Sequence, residues 1–476
     1  MNLDTTNLAG LLSDQRWFGD KGRAIAEVTH IDHGAVEDRD DPLVLALVRV
    51  SFEDGGDALY HLPLIVAPDG TPTDASEDPE RLKAFGHLLA HGHPIKGEHG
   101  VFHFSGPSLD PMSPPGQHSA WMIGAEQSNT SVVLDDHVIL KFFRRVEAGP
   151  NPDLELTRLL TNEGFTNIPA QLGEIFYERN RESEEEEPFE VDLGIAQTFV
   201  QGATEGWAAT VQRIHRMFDE VHPEDTPEDR PVLVEERASE LLDAMEQLGE
   251  ATGDLHVTLA REDFEPEVRP EPLEAHEIAE LARDMLASVS TLEGEVPELS
   301  QMSDQIEAHI QAIDSITDFG QKTRVHGDYH LGQVLRSSRQ WLLLDFEGEP
   351  ARSLVERRQK QSPLKDVAGM LRSFNYAAYA ALFERCEPDD EEWKRLEPWA
   401  GAWEALARTR FITAYLTKSY EGHFLPQDRD SLALLLDLFE LDKALYEVRY
   451  ERGHRPHWLR IPLRGIAEII ERGDGR

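Results

Sequence analysis

The hydrophobic period of the chain changes part-way along, and that change limits the folds open to it. From Leu43, LVLALVRVSF reads as a strand, EDGGDA turns the chain, and YHLPLIVAP returns, which is a hairpin signal. Further strands are expected at WMIGAEQ, SVVLDD, HVILKFFR, QLGEIFYE and DLGIAQTFV, with a short helix at NPDLELTRLLTNEGF. From Glu235 the pattern becomes helical. RASELLDAMEQLGEATGDLHVTLA carries an amphipathic stripe, as do stretches around 275–315, 396–420 and 431–452. Two acidic connections, ERNRESEEEEP and HPEDTPEDRP, separate patterned segments. A β-rich first half followed by a helical second half predicts an α+β chain of two lobes, with a small-molecule site in the cleft between them. The expected divisions are a β-rich opening module over 1–90, a second β-rich part over 91–200 and a helical lobe over 201–476.

Charge narrows the partners. Ninety acidic residues face 46 basic ones, a formal net charge of -44, which repels nucleic acid and anionic membranes. Only ten of the basic residues are lysines, and such an acidic, lysine-poor surface fits a salt-rich cytoplasm that screens the repulsion. No apolar run reaches the length of a membrane span, and the acidic N-terminal stretch argues against a secretory signal. Cys386 is the single cysteine, so no intramolecular disulfide can form, in keeping with a cytoplasmic protein.

Within the helical half, VHGDYHLGQVL (325–335) leads by way of the apolar strand QWLLL into Asp345. Phosphoryl transfer needs a base beside a hydroxyl, oxygen ligands for Mg²⁺ and a lysine on the nucleotide phosphates. In the kinase catalytic loop an Asp is followed five positions later by a metal-binding Asn. Here Asp328 is followed five positions later by Gln333, whose amide oxygen suits a hard cation. Asp345 then occupies the place where the metal-binding aspartate of the kinase DFG motif sits. The next residues are Phe346 and Glu347, so a carboxylate replaces the usual glycine and is available for a metal contact or another group. Upstream, HVILKFFR supplies Lys141, and the following helix supplies Glu155 as its candidate ion-pair partner. QSNTS, with Gln127, Ser128, Asn129 and Thr130, joins two strands where a phosphate loop would lie, although it contains no glycine. His326 and His330 are expected to brace the loop by hydrogen bonds rather than bind metal. Lys443, Tyr446 and Tyr450 fall three and four residues apart and share one helix face.

HGDYHLGQVL, LLLDFEGEPARSLVERR and SPLKDVAGMLRSFNYAA together resemble the maltokinases of actinobacterial type, relatives of the aminoglycoside phosphotransferases on the protein-kinase-like fold. The likeness extends to QSNTSVVLDDHVILKFFRR, NPDLELTRLL, AQTFVQGATEGW and LDKALYEVRYERGHRPHWLRIPLRGI, and at the start to LSDQRWFGDKGR, which is similar to the family's N-terminal cap. The resemblance implies a bilobal kinase-like fold with a cap subdomain and transfer of the γ-phosphate of ATP to the anomeric hydroxyl of maltose. The product, maltose 1-phosphate, would feed α-glucan synthesis, and a trehalose isomerase (trehalose synthase) is an implied partner. By the same resemblance Asp328 is the base, Gln333 and Asp345 hold Mg²⁺, and Lys141 neutralises phosphate charge, aligned by Glu155. Gln197, Phe199 and Val200 belong to the adenine hinge, and Glu347, Lys443, Tyr446 and Tyr450 join Asp328 in the sugar pocket. Glucosamine kinases share the core motifs, so an amino-sugar or aminoglycoside acceptor is the alternative. A degenerate binding module would have lost the base, the metal ligands or the lysine, and all are present. A hydrolase built on the His and Asp residues leaves Lys141 and the lobe order unexplained.

Overall fold

The LVLALV run is continuously apolar because its two faces enter two different cores. In a computed structural model of the protein, which describes residues 7–106, 119–124, 128–181, 188–349 and 352–474, Leu43, Leu45 and Leu47 pack with Phe85, Phe102 and Phe142. Val44, Ala46, Val48 and Val50 pack with Trp17, Phe18 and Tyr60. A strand covered on both sides loses the alternation of a half-exposed one.

Two compact units meet in sequence between Gly202 and Ala203. In the first, the hairpin Leu43–Phe52 and Asp57–Val66 pairs antiparallel with Val44 opposite Leu64. The strand Ile25–Ala35 flanks it on one edge, and Pro72–Asp74 and Arg145–Val146 add to the other. The 1–90 module is therefore stitched to residues far downstream. Arg144 is fully buried, donating to Asp74 Oδ1 at 2.9 Å and to Thr130 Oγ1 at 2.7 Å, with its guanidinium 4.5 Å from the Trp17 ring. Removing one member of such a buried pair costs about 3–5 kcal/mol, because it strands the other charge.

A second sheet of seven strands carries Val138–Phe143 between Asn129–Leu134 and Glu190–Thr198. The helix Pro79–His91, in a stretch expected to be β-rich, has Pro at its first turn and ends at left-handed Gly92, and it buries Leu82, Phe85 and Leu89. Those punctuation signals were present in the sequence.

The second unit is mostly helical. Ser239–Leu259, Ala275–Glu293, Glu391–Ser419 and Arg429–His454 form where the apolar stripes predicted them. Ser239–Leu259 lies tightly on Glu391–Ser419: a Cβ at Gly249 would sit 2.3 Å from the carbonyl oxygen of Phe411. The helix Leu364–Arg385 is buried over most of its surface. A small sheet joins Thr204–Glu205, Val334–Arg336 and Trp341–Leu343, and Trp341 Nε1 donates to Ala244 O at 2.6 Å, tying the sheet to Ser239–Leu259. No helix among the described residues is long and apolar enough to cross a membrane.

Candidate active site

In the first unit Lys141 lies on the strand Val138–Phe143, opposite Ser131 and Ile195. Its Nζ donates to Asp153 Oδ2 at 3.1 Å, and both side chains are buried. Asp153 stands in the first turn of the helix Pro152–Asn162, two residues before Glu155, which the sequence had offered as the partner. Asn151 caps that helix by accepting from the Asp153 and Leu154 amides, and its own N–H donates to Asp192 at 2.7 Å. Burial pushes the Asp192 carboxyl up to about 6. The QSNTS segment is less of a loop than its sequence suggests. Gln127 lies outside the described residues, Ser128 is exposed, and the strand begins at Asn129, so Asn129 and Thr130 are buried strand residues. The Thr130 hydroxyl oxygen accepts from Arg144. Gln197 lies near the end of the strand Glu190–Thr198, opposite Ile139, Phe199 donates its N–H to His137 O at 2.7 Å, and Val200 follows it, half-buried.

In the second unit the VHGDYHLGQVL segment is fixed from beneath. The Asp366 carboxylate, on the helix Leu364–Arg385, accepts the N–H of His326 at 2.7 Å and of Gly327 at 2.9 Å, the two residues before Asp328. Its acidity is increased although burial opposes ionisation, because His256, His326 and the loop amide outweigh that cost. His326 Nε2 pairs with Leu344 O at 2.7 Å, and His330 Nδ1 accepts from Gly332 N at 3.0 Å, the bracing expected of both histidines. Gly327 needs its φ of +86° to turn the chain, and a Cβ at Gly369 would come within 2.7 Å of the Tyr329 carbonyl oxygen.

The hairpin sets the two expected metal ligands side by side. Val334 faces Leu343, and the amide of Leu344 donates to Gln333 O at 2.9 Å, so Gln333 and Asp345 sit at the hairpin's open end. Asp345 has φ +65°, a left-handed conformation that costs a non-glycine residue about 1–3 kcal/mol and concentrates at functional sites. Two hard oxygen donors, an amide and a carboxylate, fit Mg²⁺. Asp328 and Asp345 both act electrostatically on His330, though burial dominates and lowers the imidazole's basicity.

Asp328 borders a cavity of about 340 Å³ lined also by Glu349, Lys365, Asp442, Lys443 and Tyr446. Lys443 Nζ is 3.7 Å from Asp328 Oδ1 and 3.4 Å from Glu349 Oε1. Burial alone would favour its neutral amine, yet these two carboxylates outweigh it and raise its pKa. Glu349 also binds Arg352 at 2.7 Å, and Lys443 and Arg352 together overcome burial to hold its carboxyl below the ordinary range. Burial lowers the basicity of Lys365 and pushes the Asp442 carboxyl up.

The structure thus brings Asp328, Lys443 and Tyr446 to one cavity. Tyr450, one turn further on, is not among its lining residues; it stacks on His454 at 4.4 Å and lies beneath Arg455. Glu347 is half-buried, with its carbonyl accepting from Arg357. Sequence reasoning missed Glu349, Asp442, Lys365 and Asp366. The signal for Asp366 was a lone acid in the largely apolar stretch LKDVAGMLRSF.

Two family models match the sequence, and one of them, the phosphotransferase enzyme family, spans residues 122–374, more than half of the chain. The chain belongs to that phosphotransferase family. Residues 11–82 match the maltokinase N-terminal cap domain, so this phosphotransferase is maltokinase-like in its domain make-up. It is 26% identical over 356 residues to a glucosamine kinase of Mycolicibacterium smegmatis, covering 74% of this chain and 79% of that one. It is equally identical over 356 residues to a glucosamine kinase of Streptacidiphilus jiangxiensis, covering 72% of each. Among solved structures, a glucosamine kinase in complex with glucosamine, ADP and inorganic phosphate superposes with a TM-score of 0.68 at 20% identity, covering 98% of this chain and 99% of that one. That likeness supports the kinase-like fold of the phosphotransferase.

Proposed function

We propose that the phosphotransferase moves the γ-phosphoryl group of ATP to the anomeric hydroxyl of maltose, giving maltose 1-phosphate and ADP. One observation carries the reading: a cavity of about 340 Å³ opens on Asp328 and is lined by Lys443 and Tyr446. An uncharged sugar gains nothing from the negative field and must be held by hydrogen bonds and ring contact. Tyr446 supplies a flat face with a polar tip, and Lys443 donates to hydroxyls. Asp328 accepts the hydroxyl proton as the oxygen attacks phosphorus, a contribution of roughly 10²–10⁴ in rate. Lys443 holds that carboxylate in place. Lys141, steadied by Asp153, supplies positive charge to the nucleotide phosphates. Gln333 and Asp345 would hold Mg²⁺, whose charge offsets that of the phosphates when bound. On this reading the product enters α-glucan synthesis, and a trehalose isomerase is the expected source of maltose.

A second reading, glucosamine as acceptor, is favoured by Glu349 and Asp442 in the same cavity, since carboxylates suit an ammonium group. ADP release measured across maltose, glucose, glucosamine, trehalose and kanamycin, with and without Mg²⁺, separates the two. Maltose as the best acceptor supports the first reading; glucosamine outcompeting maltose overturns it in favour of the second.

A further inference from the structure

The strand Ile25–Ala35 carries two histidines, His30 and His33, that the chemistry above does not use. Residues three apart on a regular strand point to opposite faces. Here the pairing slips between His30, opposite Val48, and Asp32, opposite Leu47, so Ile31 is an extra residue and the strand is bulged. The bulge turns both imidazoles to one side. His33 Nδ1 lies 3.0 Å from His30 Nε2, with the rings edge to face. Burial lowers the basicity of both rings, outweighing Asp32 and Glu98, and leaves the neutral imidazole that metals bind.

A neighbouring turn is held beside them. Gly97, Glu98 and His99 join the strands Ile95–Lys96 and Gly100–Ser105. The fully buried Asp32 accepts the N–H of His33 at 2.8 Å, of Glu98 at 2.7 Å and of His99 at 2.9 Å, and the Tyr177 hydroxyl at 2.9 Å. Its oxygens are thereby committed, and a Cβ at Gly97 would strike them. The exposed side chains of Glu98 and His99 both act electrostatically on His30. Two nitrogens bound to one ion at about 2.0–2.1 Å, at a right or tetrahedral angle, stand about 3–3.4 Å apart, close to the separation seen here. Small rotations about the broad outer torsion of each histidine would aim both lone pairs at one point.

We propose that His30 and His33, completed by Glu98 and His99, form a site for a divalent first-row transition metal of the zinc class. Imidazole suits Zn²⁺, Ni²⁺ and Cu²⁺, whereas Mg²⁺ takes oxygen ligands, so the site is chemically distinct from that of phosphoryl transfer. The ion would staple the edge strand of the opening module to a hairpin of the seven-stranded sheet. The inference is independent of the sugar and of the base.

The test titrates the full chain, stripped with chelator, with ZnCl₂ by calorimetry in excess MgCl₂, and follows melting with and without Zn²⁺. Wild type is compared with His30→Gln, His33→Gln, Glu98→Gln and His99→Gln. A double variant, His91→Gln with His93→Gln, removes two exposed imidazoles outside the site. One Zn²⁺ per chain is expected, bound roughly tenfold or more weakly in each of His30→Gln and His33→Gln, about threefold more weakly in Glu98→Gln and His99→Gln, and within about twofold of wild type in the double variant. Zn²⁺ raises the melting temperature of wild type and not that of His30→Gln. No saturable one-to-one binding, or affinity within about twofold of wild type in both His30→Gln and His33→Gln, overturns the proposal and leaves a hydrogen-bonded pair only. An equal loss in the double variant also overturns it, as adventitious surface binding. Melting without metal checks folding, and if one variant does not fold the remaining ones decide.

Discussion

Replacing Asp366 with Asn changes two atoms by little in size and a great deal in bonding. The carboxylate accepts three donors, and the two backbone amides go to different oxygens, His326 to Oδ2 and Gly327 to Oδ1. In either orientation Asn presents its NH₂ to one of these N–H groups, so a donor faces a donor in a fully buried place. Hydrogen bonds to a charged group contribute about 1.5–3 kcal/mol each, and a stranded buried donor costs about 1–3 kcal/mol. A loss of about 3–5 kcal/mol follows, a large share of the ~5–15 kcal/mol that holds a typical domain together. At roughly 2–4 °C per kcal/mol the helical unit should melt about 6–20 °C lower. The pH dependence has a definite sign. The Asp366 carboxyl titrates lower in the folded protein than in the unfolded chain, so its contribution is whole above the ordinary carboxylate range. It fades as pH falls through the depressed folded value. The difference in stability between wild type and variant should therefore shrink on acidification. Calorimetric and urea melts from neutral pH downward check this, and a neutral-pH destabilisation below about 1 kcal/mol would contradict it, because less than one lost bond would remain to explain.

Three further outcomes are expected. Asp345→Asn abolishes turnover or raises the Mg²⁺ requirement steeply, and a Mg²⁺ titration that matches wild type removes Asp345 from the metal site. Tyr446→Ala raises KM for the sugar about tenfold, the equivalent of ~1.4 kcal/mol, whereas Tyr450→Ala, outside the cavity lining, changes it by no more than about threefold; the reverse order assigns the sugar to another face. With a formal charge of -44, the melting temperature rises as KCl is added from dilute buffer towards molar concentration, because salt screens self-repulsion, and a flat profile contradicts a salt-adapted surface.

The parts legible in the sequence were those whose chemistry is local. The spacing of Asp328 and Gln333 and the apolar strand before Asp345 lie within twenty residues, and the hairpin that joins them is short enough to read from its own pattern. The supporting residues were not local. Asp366 lies about forty residues from the amides it holds, and His256, its third donor, lies on another helix. Nothing in a single stripe of apolar residues says which polar member faces which. Glu349 and Asp442 were lost for the same reason, since an acid beside a turn or on an acidic helix reads as solvated until a neighbouring element closes over it. Likewise the pairing of Arg144 with Asp74 joins residues seventy positions apart and ties the opening module to the strands that follow.

The most direct test falls on Asp328. With maltose, ATP and Mg²⁺ all saturating, Asp328→Asn is expected to release ADP at least about a hundredfold more slowly than wild type, the usual scale for a lost general base, while nucleotide still binds as judged by equilibrium titration. Turnover close to wild type in a folded Asp328→Asn protein would contradict the assignment of the base, and with it the mechanism built on this loop.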